Sequence, residues 1–141
     1  MASNFVTTEW KKNLLFKSDN PNGAQILMDT SFQNGGNEVG ASPKALMLSS
    51  LAGCSGLDVV LIAEKMRVSF DDLTITVAAN LTDEHPKYYD KVHMTYHFYG
   101  ADLDQEKLTK VVNLSVEKYC GVMEMFRKFA EVSTEIVFNI Q

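Results

Sequence analysis

The sequence is poor in basic residues and in the motifs of common cofactor sites. Its 141 residues hold 13 lysines and arginines against 18 aspartates and glutamates, a formal net charge of -5. This acidic balance disfavours nucleic acid and anionic membranes as partners, because both attract basic patches. No CxxC, HExxH or Cys/His cluster suggests a metal site, and no Walker, GxGxxG or GxSxG motif is found. We therefore expect neither a metal ion nor a bound cofactor.

The length and composition fit one soluble domain spanning residues 1–141. Apolar residues make up 45% of the chain and charged residues 22%, both ordinary values for a globular protein with its own core. The segment 1–10 has no basic start followed by an apolar run, as a secretory signal would. The expected location is therefore cytoplasmic.

The dominant feature is a predicted helix from Ser42 to Arg67. Ser42 can cap its first turn, and Pro43 stands at the first helical position, where proline is tolerated. Cys54 and Asp58 are the only ionisable residues between positions 46 and 63. An almost wholly apolar helix is normally buried on most sides, so we expect the rest of the chain to cover it.

A membrane span is the competing interpretation of such a helix. Lys44, Asp58 and Glu64, together with several serines, argue against it, so no membrane is expected as a partner.

Short strands and two further helices complete the predicted order β-β-β-α-β-β-α-α-β. Strands that cluster as meanders around one long helix indicate an α+β fold rather than a doubly wound sheet. The predicted strands are Asn4–Trp10, Asn13–Lys17, Gln25–Asp29, Phe70–Asn80, Val92–Phe98 and Ser133–Ile140. The predicted helices after the long one run from Asp102 or Asp104 to Cys120, and from Val122 to Phe129.

Two cysteines, Cys54 and Cys120, lie 66 positions apart in the sequence. In a reducing compartment a permanent structural disulfide is the less expected use of such a pair. From pattern alone, the favoured interpretation is two buried cysteines acting as small hydrophobic side chains.

Two segments around these cysteines resemble the OsmC/Ohr family of thiol-dependent peroxidases. The first is SPKALMLSSLAGCSGLDVV, with Cys54 eleven residues after Pro43, and the second is VEKYCGVMEMF, with Cys120 at a helix end. The order of elements also resembles the family along the whole chain, and the form of the first segment is closest to the OsmC-like subgroup.

The resemblance implies an intertwined homodimer whose two long helices pack at the centre. It also implies that Cys54 is the peroxidatic thiol, which attacks a hydroperoxide and becomes a sulfenic acid. Cys120 would be the resolving thiol, which condenses with it to a disulfide. An external dithiol reductant would then reset the pair.

The sequence departs from the family at the residues that surround the reactive cysteine. Family members have an arginine from the N-terminal region and a glutamate early in the long helix. Here Lys44 stands where Ohr has that glutamate, and the only arginines are Arg67 and Arg127. Arg127, His93, His97 or Lys118 could replace the arginine, and the sequence leaves this choice open.

Five further residues are candidates for the pocket or for a supporting role. Asp58 lies one helical turn after Cys54, either as a site residue or, slightly favoured, as a carboxylate that caps a neighbouring segment. Glu124 is a possible family-style carboxylate but more often a solvated charge. Met125 and Phe126 could line a pocket for an organic hydroperoxide, although core positions are the simplest interpretation, and Arg127 is a candidate cation.

The sequence thus predicts reduction of hydroperoxides, organic ones preferentially, as part of oxidative stress defence. One alternative is a non-catalytic dimer of the same fold that binds a small hydrophobic ligand. Another is a slow thiol redox sensor.

Overall fold

The computed structural model describes residues 3–141; residues 1 and 2, where the predicted single domain begins, lie outside this range. The chain divides between residues 47 and 48 into two compact units. Elements follow one another as the sequence predicts, β-β-β-α-β-β-α-α-β. The α+β class is therefore confirmed.

The first unit is a three-stranded antiparallel meander. It consists of β1 (Thr7–Trp10), β2 (Phe16–Asp19) and β3 (Gln25–Met28), with β2 in the middle. The predicted second strand, Asn13–Lys17, starts too early. Lys12 and Asn13 have positive φ angles of 85° and 51°, and the Lys11 N–H donates to the Leu15 carbonyl at 2.8 Å, so this segment is a turn.

The loop after β3 is held in place by Asp29. Its carboxylate accepts backbone N–H groups of Thr30 at 2.7 Å and of Asn37 and Val39 at 3.2 Å each. These hydrogen bonds, led by that of Thr30, lower the pKa of Asp29. The chain then enters α1 (Pro43–Lys65), which ends two residues before the predicted Arg67 because Arg67 takes a positive φ of 55°.

The second unit contains most of α1, a second three-stranded sheet and the remaining helices. The sheet has the order β4-β5-β6, formed by β4 (Asp72–Leu81), β5 (Tyr89–Gly100) and β6 (Glu131–Ile140). β4 pairs with β5 antiparallel, whereas β6 pairs with β5 in parallel. A parallel pair needs a crossover connection. Here it consists of α2 (Gln105–Leu114), a π-helical turn (Ser115–Tyr119, hereafter the π turn) and α3 (Gly121–Arg127).

The core of the second unit lies against the inner face of β5. Its alternating residues Val92, Met94, Tyr96 and Phe98 are all buried, as the period of two predicts. The helices contribute most of the other buried apolar side chains, namely Leu51, Val59, Ala63, Leu108, Val111, Val112, Met123 and Phe126.

The expectation that α1 is buried on most sides is wrong for the single chain. Its buried residues form one stripe at a spacing of four, Leu51, Ser55, Val59 and Ala63. On the outer side Leu57 is 68% exposed, and Val60 and Leu61 are at least half exposed. The cause is that the sheet and crossover pack against one side of α1, while its composition is apolar all round. Within residues 3–141, α1 is also the one helix long and apolar enough to cross a membrane, a property that core helices of soluble proteins share.

Candidate functional site

The structure brings Cys54 and Cys120 together inside the second unit. Cys54 lies on α1 and is partly buried, whereas Cys120 lies between the π turn and α3 and is 4% exposed. Both are free thiols, and Cys54 lies close enough to Cys120 to be among the groups that raise the pKa of Cys120. We call these two residues the thiol pair.

Backbone geometry at the end of the crossover positions Cys120. Its N–H donates to the Ser115 carbonyl at 2.8 Å, across five residues, which is the hydrogen bond of a π helix. Its sulfur accepts the N–H of Met123 at 3.3 Å and so caps α3. The sulfur is therefore fixed on both sides by the fold of the crossover.

The environment of Cys120 strongly favours the neutral thiol. The pKa of Cys120 is raised from 9.0 to about 11, and burial, which removes water from a thiolate, is the largest cause. The hydrogen bond from Met123 lowers this pKa, while Cys54 and the negative charge of Asp58 raise it further. Cys120 therefore keeps its proton at neutral pH.

Beside the thiol pair lies a chain of buried hydroxyl groups that ends on a carboxylate. Ser55 Oγ is 2.6 Å from the Tyr96 hydroxyl and 2.8 Å from Ser115 Oγ. Ser115 Oγ donates to Asp58 Oδ2 at 3.1 Å, and the three hydroxyl residues are fully buried. Burial is the main cause of a raised pKa at Tyr96. We call Tyr96, Ser55, Ser115 and Asp58 the hydroxyl network.

Ser55, Tyr96 and Ser115 are not among the candidate residues that the sequence predicts. A signal for them exists, since a hydroxyl on a face predicted to be buried needs a partner. Asp58 is a candidate from the sequence, and it accepts a side-chain hydrogen bond from Ser115 of the π turn, while its role as a site residue or as a capping carboxylate stays a prediction.

The remaining candidates lie in or beside α3. Arg127 is 3.9 Å from the Glu124 carboxylate and also donates to the Val116 carbonyl, so it ties α3 to the π turn. Met125 is largely exposed, while Phe126 is buried in the core with its ring 4.9 Å from that of Phe129. In residues 3–141 no lysine or arginine is among the groups that shift the pKa of Cys120.

The two histidines considered as replacements for the arginine lie on the outer face of the sheet. His93 contacts Ser133 Oγ at 2.7 Å and Glu135 Oε1 at 3.2 Å, and His97 contacts Thr76 Oγ1 at 3.3 Å. Within the described residues, no three His, Cys, Asp or Glu side chains group so that they could hold a metal ion.

A broad groove runs along the exposed side of α1. Its volume is about 640 Å³, and mainly apolar side chains line it, among them Leu57, Leu61, Phe70 and Ile75. Two glycines of α1, Gly53 and Gly56, form part of its floor. Cys54 is not among the lining residues, so the groove and the thiol pair are separate features of the helix.

Comparison with known proteins gives the family. A model of the family described as OsmC-like protein matches residues 35–135. Protein YhfA of Escherichia coli K12 is 31% identical over 125 residues, which cover 89% of this chain and 90% of YhfA. The chain belongs to the OsmC-like family.

Solved structures agree with this assignment. A hypothetical protein from Aquifex aeolicus VF5 has a TM-score of 0.86 at 27% identity, covering 100% of this chain and 99% of that chain. OsmC from Legionella pneumophila, described as an organic hydroperoxide resistance protein, has a TM-score of 0.72 at 16% identity, over 97% and 98% of the two chains. At that identity the likeness shows the fold alone. The predicted OsmC-like fold is thus confirmed.

Proposed function

We propose that this OsmC-like protein is a thiol-dependent peroxidase that reduces hydroperoxides, organic ones preferentially, in defence against oxidative stress. The observation that carries the proposal is the proximity of Cys54 and Cys120, which lie 66 residues apart in sequence but are brought together in one core, where Cys54 raises the pKa of Cys120. Two solved structures that share the fold, from Legionella pneumophila and Elizabethkingia anophelis, are described as organic hydroperoxide resistance proteins.

The difference in burial between the two thiols supports different roles for them. Cys54 is the more accessible sulfur, so as a thiolate it attacks the distal oxygen of the hydroperoxide, becomes a sulfenic acid and releases an alcohol. Cys120 then attacks the Cys54 sulfur, its thiol proton joins the departing hydroxide, and water leaves as the disulfide forms. An external dithiol reduces the disulfide and is itself oxidised, so the cycle needs no bound cofactor.

Within residues 3–141 no lysine or arginine is among the groups that shift the pKa of Cys120, so nothing at the thiol pair replaces the family arginine there. The neighbour of Cys54 is instead Cys120, whose raised pKa of about 11 keeps it a neutral S–H at neutral pH. A neutral donor stabilises a thiolate less than a guanidinium does. We therefore expect a slower peroxidase than a family member that has the arginine.

A homodimer and a cytoplasmic location complete the proposal. The outer side of α1 exposes Leu57, Val60 and Leu61, and a second copy that packs there would remove this apolar surface from water. A reducing compartment fits two neighbouring cysteines that must return to the thiol form after each cycle.

The test mixes reduced protein with a slight excess of cumene hydroperoxide and follows free thiols and intact mass over seconds to minutes. We expect both thiols to disappear with a mass loss of two hydrogens. Cys54→Ser should abolish peroxide consumption. The matched variant Cys120→Ser should still consume one equivalent and leave a sulfenic acid that dimedone traps. Turnover by Cys54→Ser would refute the assignment.

The groove along α1 supports a second candidate, a non-catalytic dimer that binds a small hydrophobic molecule. In that case both thiols would survive the peroxide, and an apolar fluorescent probe would bind the protein. Slow oxidation with a change in shape would instead favour the redox sensor.

A further inference from the structure

The hydroxyl network links the residue next to Cys54 to the residue that holds Cys120. Ser55 directly follows Cys54 on α1, and its hydroxyl contacts Ser115 Oγ at 2.8 Å. The Ser115 carbonyl in turn accepts the Cys120 N–H at 2.8 Å. Cys54 is therefore connected to Cys120 through Ser55 and Ser115, by one hydrogen bond between their side chains and one between backbone groups.

The network ends at the carboxylate of Asp58, which accepts a hydrogen bond from Ser115 Oγ at 3.1 Å. Each hydroxyl has one hydrogen to donate and can also accept, so either partner can be the donor in the Tyr96–Ser55 and Ser55–Ser115 contacts. The competing acceptors are weaker, since the Ser55 carbonyl is 3.3 Å from Ser115 Oγ and the Met94 sulfur is 3.9 Å from the Tyr96 hydroxyl.

The network also has little freedom to adopt another arrangement. Its three hydroxyl residues come from three separate elements, α1, β5 and the π turn, and all are fully buried. Loss of one member would leave a buried polar group without its partner, which is costlier than the loss of a surface contact.

We propose that the hydroxyl network is a positioning device for the thiol pair: it holds α1 against the π turn so that the Cys54–Cys120 disulfide forms with little movement of either segment. The inference rests on the proposed pairing of the two thiols, but it does not depend on which oxidant they meet. Ser55, Tyr96, Ser115 and Asp58 are positioning residues, because they act on the sulfur atoms through the backbone and not by contact with a substrate.

The test measures the equilibrium between protein dithiol plus oxidised dithiothreitol and protein disulfide plus reduced dithiothreitol. This exchange conserves thiols and disulfides, and its constant gives the effective concentration of one thiol at the other. Ser115→Ala should lower this constant about 5- to 30-fold, the effect of one or two hydrogen bonds. Tyr96→Phe removes a single hydroxyl at the end of the network and should give a smaller drop in the same direction.

The matched control is Val112→Ala. Val112 is buried in α2 close to the network in sequence, so this change weakens the fold, but it leaves every hydrogen bond of the network in place. The constant should stay at the wild-type value although the protein unfolds at lower urea concentration. An equal drop in Val112→Ala and Ser115→Ala would overturn the proposal, because general destabilisation would then explain both.

Two substitutions at Asp58 test whether the hydroxyl network needs its acceptor oxygen. Asp58→Asn keeps an oxygen that can accept from Ser115, and its constant should stay within about twofold of wild type. Asp58→Ala removes the acceptor, so its equilibrium constant should fall by about as much as that of Ser115→Ala. Equal values for the two Asp58 variants would exclude this residue from the positioning role.

The outcome separates this inference from the proposed function. If the wild type forms the disulfide and Ser115→Ala or Tyr96→Phe behaves like it, the positioning role fails while the peroxidase remains possible. If the wild type forms no disulfide at any dithiothreitol ratio, the thiol pair itself fails and both proposals fall.

Discussion

Alkylation of Cys120 as a function of pH tests the electrostatics of the thiol pair. The variant Cys54→Ser leaves Cys120 as the single thiol and prevents disulfide formation. Burial, the largest cause of the raised pKa, remains in this variant. The full shift of the pKa from 9.0 to about 11 would lower the thiolate fraction about a hundredfold at every pH below both values, and the variant lacks the part of this shift that Cys54 causes. Since iodoacetamide reacts with the thiolate, the rate in the variant should fall by up to this factor.

The assay quenches iodoacetamide reactions between pH 7 and 10.5 and measures the labelled peptide by mass spectrometry. The same protein in guanidinium chloride provides the reference, because the unfolded thiol has its ordinary pKa. In the folded protein the rate should still rise with pH above pH 9.5, whereas the reference should level off near pH 9. Restricted access of iodoacetamide to the sulfur, without a shift of the pKa, would slow the reaction equally at every pH. A folded-state rate that levels off below pH 9.5 would refute the electrostatic argument.

Two further predictions concern the proposed dimer and the core. Leu57→Asp places a charge on the exposed side of α1 and should convert a dimer to a monomer in light scattering, whereas Leu81→Asp, on β4, should leave the mass unchanged; a dimeric Leu57→Asp protein would count against this interface. Phe98 is fully buried, with its ring 5.1 Å from that of Phe70. Phe98→Ala should lower the free energy of unfolding in urea by about 3–5 kcal/mol, and exposed Phe32→Ala by less than about 0.5 kcal/mol. Similar losses in both would contradict the burial pattern.

The sheet of the second unit shows what local pattern can predict. Strict alternation along β5 identified its buried face correctly, because side chains in a strand point to opposite faces in turn. The pattern could not give the partner of β6, since the same alternation suits a parallel or an antiparallel neighbour. That pairing depends on the crossover through α2, the π turn and α3.

The long helix shows the opposite case. Composition located α1 within two residues of its ends, but it could not tell which side the chain itself covers. Leu51 and Leu57 are the same residue type on one helix, yet one is buried and the other is largely exposed. The difference arises from tertiary packing, which the amino-acid sequence of α1 does not contain.

Of the candidate site, the two cysteines and Asp58 could be named from the sequence. Local pattern favoured two unrelated buried thiols, and family resemblance was needed to pair them. The hydroxyl network escaped prediction because its members come from three elements and each spacing is uninformative alone. Ser55 and Ser115 are 60 residues apart, so only the fold reveals that they share a hydrogen bond.

The position of Cys120 on the crossover has a consequence for synthesis of the chain. Cys54 is translated 66 residues before Cys120. At 5–20 residues per second this interval is about 3–13 s, during which the nascent chain carries one thiol without its partner. If Cys54 is the peroxidatic thiol proposed above, a peroxide that oxidises it in that time meets no second thiol, and further oxidation to the sulfinic acid is irreversible. Synthesis in the presence of peroxide would then yield some copies whose Cys54 is already lost when the crossover forms.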